Sequence, residues 1–239
     1  MTDPTGILIE ARALTSSRSL DREGPSRVNG VDLSIGRQTL TLIRGSEGCG
    51  KNLLLRLLGL LESPDDGQIL FLGEPASTLP EEKRADLCNR HFGFVFMPPF
   101  LLPAFTVMEN IAMPLFKVSE VEPEEARRRV EELLRFVGLE GFDQEPVLEL
   151  SSLEQYRVSL ARALANRPDV IFLENIDNAL HGVDLEVFVD LVEHAVLERG
   201  VTAIVTATKL PGSHLPDREI DMKEGRIVGD SSATGRSPS

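Results

Sequence analysis

The chain has no tryptophan, one tyrosine and two cysteines among its 239 residues. Two cysteines cannot provide the disulfide framework that stabilises small secreted domains. Basic residues are also scarce, because 25 lysines and arginines face 38 aspartates and glutamates, for a formal net charge of −13. This excess of negative charge argues against general electrostatic binding to nucleic acid or to anionic membranes. We therefore expect no nucleic-acid partner.

Long hydrophobic runs are missing as well. The richest apolar stretch, residues 53–61, is interrupted by Arg56 and is too short for a membrane-spanning helix. The N-terminus lacks the basic start and apolar core of a secretory signal, so we expect a cytosolic protein. The length suits one sizeable core with a subdomain. Residues 231–239 are expected to form a disordered tail.

One glycine-rich segment, between Leu42 and Leu54, comes close to a phosphate-binding P-loop. In that motif, G-x-x-x-x-G-K-[ST], backbone N–H groups curl around phosphate and the next helix adds a favourable dipole. Asn52 replaces the hydroxyl residue that binds Mg²⁺, and Glu47 places a negative charge inside the loop. The frame of a nucleotide site is present, but its chemistry is altered. The candidate nucleotide-binding residues are Gly45, Ser46, Glu47, Gly48, Cys49, Gly50, Lys51 and Asn52.

The pattern of apolar residues predicts strands alternating with helices. The predicted strands are 7–13, 31–35, 39–44, 68–72, 92–97, 169–173, 201–207, 219–222 and 226–228. The predicted helices are 51–61, 106–117, 123–138, 151–166 and 184–199. Such alternation indicates a parallel sheet covered on both faces, and the helical insert after residue 97 should form a separate lobe.

With these elements in order, the chain resembles the nucleotide-binding subunits of ABC transporters from residue 7 to residue 228. The likeness is strongest in the segments NRHFGFVFMPPFLLPAFTVMENIAMPL and SSLEQYRVSLARALANRPDVIFLEN. It looks closest to the mechanotransmission subfamily that powers lipoprotein release and macrolide-type efflux. The resemblance implies an α/β P-loop NTPase fold of ABC type, with a RecA-like core, an N-terminal antiparallel β region and a helical subdomain near residues 98–151. The whole domain would span residues 1–230.

Five positions that serve hydrolysis in this family hold other residues here. Met97 stands where a glutamine touches Mg²⁺ and the attacking water. The acidic pair at a strand end reads Glu174 then Asn175, and an amide cannot take a proton from water. His181 replaces an aspartate of the next loop, and Ala207 replaces the histidine that bonds the γ-phosphate. Since phosphoryl transfer needs these groups together, the resemblance implies a fold kept without its catalysis.

The family signature, of L-S-G-G-Q type, contacts the γ-phosphate bound to the opposing subunit. This chain has Ser151, Ser152, Leu153 and Glu154 there, and the leucine side chain would crowd a phosphate. The family also stacks adenine on an aromatic ring, which the matching region 16–20 lacks. The resemblance therefore implies weak ATP binding, with Asn52 and Glu174 as candidates for a weak Mg²⁺ site.

An apolar stripe follows the position of the missing glutamine, in the region where the family receives a cytoplasmic helix of the permease. Its members are Phe100, Leu101, Leu102 and Phe105. Ordinary core packing is the other explanation for this stripe. The resemblance implies two partners, an integral membrane permease and a second nucleotide-binding subunit in a homodimer or a heterodimer. It also implies a location on the inner face of the cytoplasmic membrane.

Three functions follow from these patterns. The first is a pseudo-ATPase subunit that scaffolds or regulates a membrane permease complex. The second is a slow but working ATPase that drives export or lipoprotein and lipid transport, and the third is a soluble module that uses the fold only to dimerise. The altered Mg²⁺ and base positions favour the first function over the second. The apolar stripe favours both of them over the third.

Overall fold

The computed structural model describes residues 6–18, 26–118, 121–212 and 216–232. In these ranges the strands are β1 (Ile7–Arg18), β2 (Ser26–Gly36), β3 (Leu40–Arg44), β4 (Asp66–Phe71), β5 (Glu74–Pro75), β6 (Phe92–Val95), β7 (Val170–Leu173), β8 (Thr202–Ala207), β9 (Arg218–Lys223) and β10 (Arg226–Ser232). The α-helices are α1 (Lys51–Leu58), α2 (Glu81–His91), α3 (Val107–Ala112), α4 (Leu115–Val118), α5 (Pro123–Phe136), α6 (Ser152–Leu164), α7 (Ile176–Ala179) and α8 (Gly182–Arg199). A 3₁₀ turn, Val147–Glu149, precedes α6.

The described strands form two sheets. The first has the order β2-β1-β4-β5, and each neighbouring pair is antiparallel. The second has the order β10-β9-β3-β8-β7-β6, in which five strands run parallel and β10 returns antiparallel to β9. The expected α/β fold, with an N-terminal antiparallel region and helical elements beside a mostly parallel core, is confirmed.

The six-stranded sheet is buried on both faces because successive side chains point to opposite sides. Ile43 belongs to the core that includes α1 and the antiparallel sheet, whereas Leu42 belongs to the core that includes α6 and α8. All four residues of β7, with the sequence VIFL, are buried. Such a continuous apolar run is typical of a parallel strand between two layers. It places Glu174 directly at the carboxyl edge of the sheet.

The helical lobe departs from the prediction at residues 106–117. One helix was expected there, but the chain forms α3 and α4 as separate pieces. Pro114 lies between them, and a proline lacks the N–H that a continuous helix needs. A capping box begins α3, because the Thr106 hydroxyl accepts from the N–H of Glu109 and the Glu109 carboxylate accepts from the N–H of Thr106.

Helix α2 was not predicted from the sequence. Its eleven residues, EEKRADLCNRH, include no buried residue, so the segment shows no apolar stripe at helical spacing. The distribution of charge along this segment could have indicated a helix. Glu81 and Glu82 lie in its first turn and Arg90 lies in its last turn, which suits the helix dipole.

The C-terminal strand is longer than expected. Ser231 pairs with Glu219 and Ser232 pairs with Arg218, so β10 reaches two residues past the expected domain end at residue 230. Residues 233–239, the remainder of the expected tail, lie outside the described residues.

We expect Gly93→Ala to lower the free energy of unfolding by about 2 kcal/mol, because overpacking forces neighbouring backbone to move. A Cβ atom at Gly93 would overlap the carbonyl oxygen of Ala163 and lie 2.9 Å from its carbonyl carbon. Urea denaturation measures the loss. Gly212→Ala is the matched control, since a Cβ there meets nothing within 4 Å. Equal stability of the two variants would contradict the close packing of β6 on α6.

Candidate functional site

The glycine-rich loop connects β3 to α1, as the sequence predicted. Its last glycine, Gly50, caps α1 with a φ of 101°, a conformation that other residues rarely adopt. A Cβ atom at Gly50 would also overlap the carbonyl oxygen of Arg27. The position therefore requires glycine on two grounds, backbone conformation and space.

The turn that connects β9 to β10 packs against the loop and stabilises it. The N–H of Gly225 donates to the carbonyl oxygen of Cys49 at 2.8 Å, and the Cys49 side chain is buried. Lys51 is also buried, and its Nζ donates to the carbonyl oxygen of Ser46 at 3.5 Å. Ser46 and Glu47 are exposed at the outer turn of the loop. Glu47 therefore adds a negative charge to the solvent-exposed part of the loop.

An ion pair joins the P-loop helix to the end of β7. Arg56 Nη2 lies 2.8 Å from Glu174 Oε1, and Arg56 Nε donates to Glu174 Oε2 at 3.2 Å. The Glu174 side chain is only 7% exposed, whereas that of Arg56 is 34% exposed. Sequence reasoning did not include Arg56 in the site. The one available signal was a charged residue in an otherwise apolar helical run.

The family implies Mg²⁺ at this place, and the residues are a poor fit to it. Mg²⁺ is usually held through one or two carboxylates, with waters and phosphate oxygens completing an octahedron. Here the helix supplies the neutral amide of Asn52, and the guanidinium of Arg56 already bonds both oxygens of Glu174. Within the described residues, no group of three or more His, Cys, Asp or Glu side chains is arranged to hold a metal ion.

The carboxyl edge of β7 and β8 brings together two of the predicted catalytic positions, Asn175 and Ala207. Asn175 is buried with a φ of 49°, and its N–H donates to Thr206 Oγ1 at 3.0 Å. Ala207 is fully buried and contributes only a methyl group. Asp177 accepts a bond of 2.6 Å from the N–H of Thr208. This edge is well ordered by hydrogen bonds, yet Asn175 and Ala207 offer it no side chain that can accept a proton from water.

Two further predicted positions lie at the margins of this edge. Met97 is half-buried beyond the end of β6, and its thioether is at most a weak acceptor. His181 is exposed at the N-cap of α8 and makes no capping bond through its side chain.

The signature-like residues build the start of α6. Ser151 and Glu154 form a capping box, in which the Ser151 hydroxyl accepts from the N–H of Glu154 at 3.4 Å. The same hydroxyl donates to Glu154 Oε2 at 2.6 Å. The Ser151 N–H donates to the same oxygen at 2.8 Å. These side-chain and backbone hydrogen bonds from Ser151 lower the pKa of Glu154 below its ordinary value. Leu153 is half-buried against the core of the lobe, and Ser152 is exposed.

In the region 16–20, which matches the family's adenine platform, the described residues 16–18 include no aromatic side chain. Ser16 is buried in β1, and residues 19–25 lie outside the described residues. The single tyrosine, Tyr156, is 4% exposed and packs edge-on against Phe188, with ring centroids 5.8 Å apart. Burial raises its pKa to about 12. Tyr156 is therefore a core residue.

The apolar stripe is divided between surface and core. The side chains of Phe100 and Phe105 are 63% and 42% exposed, whereas Leu101 packs against the core. Arg162 fixes this segment by donating to the carbonyl oxygens of Phe100 at 2.8 Å and Pro99 at 2.6 Å.

Asn110 holds the other end of the segment. Its Oδ1 accepts from the N–H of Leu102 at 2.7 Å, and its Nδ2 donates to the carbonyl oxygen of Phe105 at 3.3 Å. A groove of about 380 Å³ adjoins the segment, lined by Phe94, Phe96, Met113 and Arg162 among others. The backbone of the stripe is thus held in place while two phenylalanines face outward.

A strand, a glycine loop ending in Gly-Lys and a helix at the edge of a mostly parallel sheet define a P-loop nucleotide-binding protein. The sequence model described as ABC transporter matches residues 28–178. The chain therefore belongs to the ABC transporter family, and its fold is that of an ATP-binding cassette. None of its described helices combines the length and apolar character needed to cross a bilayer.

Solved structures agree with this assignment. The chain is similar to the dimeric post-hydrolysis state of the ATP-binding cassette MJ0796 bound to ADP and Pi, with 26% identity and a TM-score of 0.85. A second dimeric structure of MJ0796, a bacterial ABC transporter cassette, shares 27% identity at the same TM-score. Both alignments cover 96% of this chain and 100% of the other. For cbiO1 from Clostridium perfringens, part of the ABC transporter complex cbiONQ, 22% identity over 95% of this chain and 89% of that chain, at a TM-score of 0.83, shows the fold alone.

Proposed function

We propose that this chain is a pseudo-ATPase subunit that scaffolds or regulates a membrane permease complex. The observation that carries the proposal is the edge of β7, where Asn175 supplies no base and Glu174 is engaged by Arg56. The retained P-loop with Lys51 supports weak ATP binding without turnover. The exposed Glu47 within the loop weakens that binding further.

The signature half of the cassette supports the same proposal. In the family, two subunits share two composite sites, each made from one P-loop and the opposing signature. Glu154 places a carboxylate directly on Ser151, at the point where a γ-phosphate would approach. Since both the P-loop half and the signature half are altered, a dimer with this chain would have no fully equipped site. This favours a structural role over an asymmetric motor.

A slow ATPase is the second candidate. It is favoured by the likeness to MJ0796, which has been seen with ADP and Pi in a post-hydrolysis state. Steady ATP turnover that is abolished by Lys51→Ala would select this candidate. Absence of such turnover, with nucleotide still bound, would select the first.

The proposed organisation follows the resemblance. The cassette comprises residues 1–230 with a helical subdomain near residues 98–151, and it pairs with a second cassette in a homodimer or a heterodimer. The permease docks at Phe100 and Phe105, beside the groove that reaches Arg162. The subfamily is that of lipoprotein release and macrolide-type efflux, and the chain is peripheral to the inner face of the cytoplasmic membrane.

Charge placed on the exposed phenylalanines should release the protein from membranes. We expect Phe100→Asp with Phe105→Asp to reduce the membrane-bound fraction at least about tenfold, because burying an unpaired carboxylate opposes docking by more than the ~1.4 kcal/mol that a tenfold change needs. Fractionation of cell membranes, followed by identification of the co-purified proteins and of any bound nucleotide, measures this.

The matched control is Leu197→Asp with Val228→Asp. These side chains are 63% and 64% exposed on α8 and β10, outside the apolar stripe. The control should remain with the membrane. Equal retention of both double variants would refute docking at this segment, and co-purification without any integral membrane protein would refute the permease complex.

A further inference from the structure

We propose that nucleotide binding at the P-loop of this chain needs no divalent cation, because the guanidinium of Arg56 takes the place that Mg²⁺ has in the family, between the acidic residue at the end of β7 and the phosphate. The proposal rests on the proposed function, in which the cassette keeps a nucleotide site without hydrolysis. It deepens that function by naming the form of the ligand, a nucleotide polyphosphate free of metal.

The sequence position of Arg56 brings its charge toward the loop. Arg56 follows Asn52 by four residues in α1, so both lie on one face of the helix. Side chains of a helix lean toward its N-terminus, and the N-terminus of α1 is the end of the P-loop. A long side chain at position 56 therefore extends toward the turn that contains Lys51 and Asn52.

The sheet brings Glu174 to the same place from the other side. In a parallel sheet the carboxyl ends of the strands share one edge, and β3, β8 and β7 are consecutive neighbours. The glycine-rich loop begins at this edge, directly after Arg44 at the end of β3. Glu174 lies at the same edge, directly after Leu173 at the end of β7. The ion pair between Arg56 and Glu174 thus lies on the loop side of the sheet, where the family places its Mg²⁺.

The geometry of the pair fixes the charge and leaves it accessible. Two guanidinium nitrogens of Arg56 donate to the two carboxylate oxygens of Glu174, at 2.8 and 3.2 Å. This bidentate contact fixes the orientation of the guanidinium plane. The carboxylate is buried, but one third of the Arg56 side chain remains exposed. On this proposal, a phosphate bound in the loop contacts a guanidinium that Glu174 already holds in place.

Electrostatics favours this cation over a metal ion. Arg56 neutralises Glu174, which would otherwise repel a phosphate, and it stays charged at every physiological pH. Mg²⁺ would have to lose part of its hydration shell and compete with the guanidinium for the same carboxylate. Lys51 and Arg56 are then the two cations of the site, and Asn52 contributes an amide.

Calorimetric titration of the full chain with ADP and with ATP tests the proposal, in excess MgCl2 and in excess EDTA at equal ionic strength. For the unmodified chain we expect the two dissociation constants to agree within about threefold. The double variant Arg56→Gln/Glu174→Gln removes both charges together, so that neither remains buried alone. It should bind about tenfold more weakly in EDTA, since a charge-assisted contact is lost.

Two further variants complete the experiment. Arg56→Lys keeps the charge and should retain binding in EDTA, whereas Arg90→Gln removes an arginine from an exposed pair with Asp86 and should change nothing. Urea denaturation of each variant verifies its folding.

Three results would overturn the inference. One is a loss of affinity of about tenfold or more when EDTA replaces MgCl2 for the unmodified chain. Another is unchanged nucleotide affinity of Arg56→Gln/Glu174→Gln. This result would mean that the ion pair only connects α1 to the end of β7 and does not contribute to nucleotide binding. The third is no detectable nucleotide binding in either condition. Membrane association through Phe100 and Phe105 would stand in all three cases, so failure here is distinguishable from failure of the proposed function.

Discussion

Replacing Asn175 with glutamate alone should leave the chain without measurable ATP hydrolysis. A base acts only on a positioned water beside a stabilised phosphate, and groups that act as a unit are strongly non-additive. The end of β7 would still carry Glu174 bound to Arg56, and β8 would still present a methyl group at Ala207. Phosphate release by Asn175→Glu should therefore match that of the unmodified chain.

Repair of the whole set should differ by orders of magnitude. We expect phosphate release at least about 100-fold above the unmodified chain, which is the contribution of a well-placed general base. The structure adds Arg56 to the positions that need repair, because its guanidinium holds the carboxylate that would serve a metal. The full set is Glu47, Asn52, Arg56, Met97, Leu153, Glu174, Asn175 and Ala207.

Two control variants of the repaired chain test whether the restored activity comes from this site. The repaired chain with Asn175 retained should be inactive, and Lys51→Ala should abolish any activity that the full repair restores. Turnover by Asn175→Glu alone that is sensitive to Lys51→Ala would show a working site and contradict the pseudo-ATPase proposal.

Arg56→Met should strongly destabilise the protein. Removal of one partner from a largely buried pair leaves an uncompensated charge, which costs about 3 kcal/mol. For a domain of this size that corresponds to a fall in Tm of about 6–12 °C. The carboxylate left behind is the more deeply buried partner, with its side chain only 7% exposed. Thermal and urea unfolding measure the loss.

A double-mutant cycle separates the charge from the packing. Arg56→Met/Glu174→Met should recover most of the lost stability, because no charge remains buried and both side chains pack as apolar groups. Arg90→Met gives the reference for an exposed arginine, whose pair with Asp86 contributes little to stability because water screens it. Additive effects of the two single changes would mean that Arg56 and Glu174 do not interact energetically.

Much of the fold could be predicted because its signals are local. The apolar run of β7 and the glycine spacing before Lys51 each lie within a few residues, and both mark elements that the structure confirms. Helix α6, predicted over residues 151–166, is also confirmed, and its capping box joins two residues only three positions apart.

The rest depends on contacts that a single sequence does not display. Arg56 and Glu174 are far apart in the chain, and their pairing exists only because α1 packs beside the carboxyl edge of the sheet. The stripe of Phe100, Leu101, Leu102 and Phe105 has no helical or strand period, so its division into surface and core depends on tertiary bonds. Arg162 reaches that stripe from another helix.

The capping box of α6 bears on how two such subunits would associate. The resemblance implies that the signature of one subunit contacts the γ-phosphate bound to the other. Here Glu154 already satisfies Ser151 from within the same turn. An incoming phosphate must displace the Glu154 carboxylate from Ser151. Because both residues belong to the same helix, the effective concentration of this carboxylate is high and constant. Any association between two such subunits would then depend less on the cellular ATP level, which is the behaviour expected of a structural subunit.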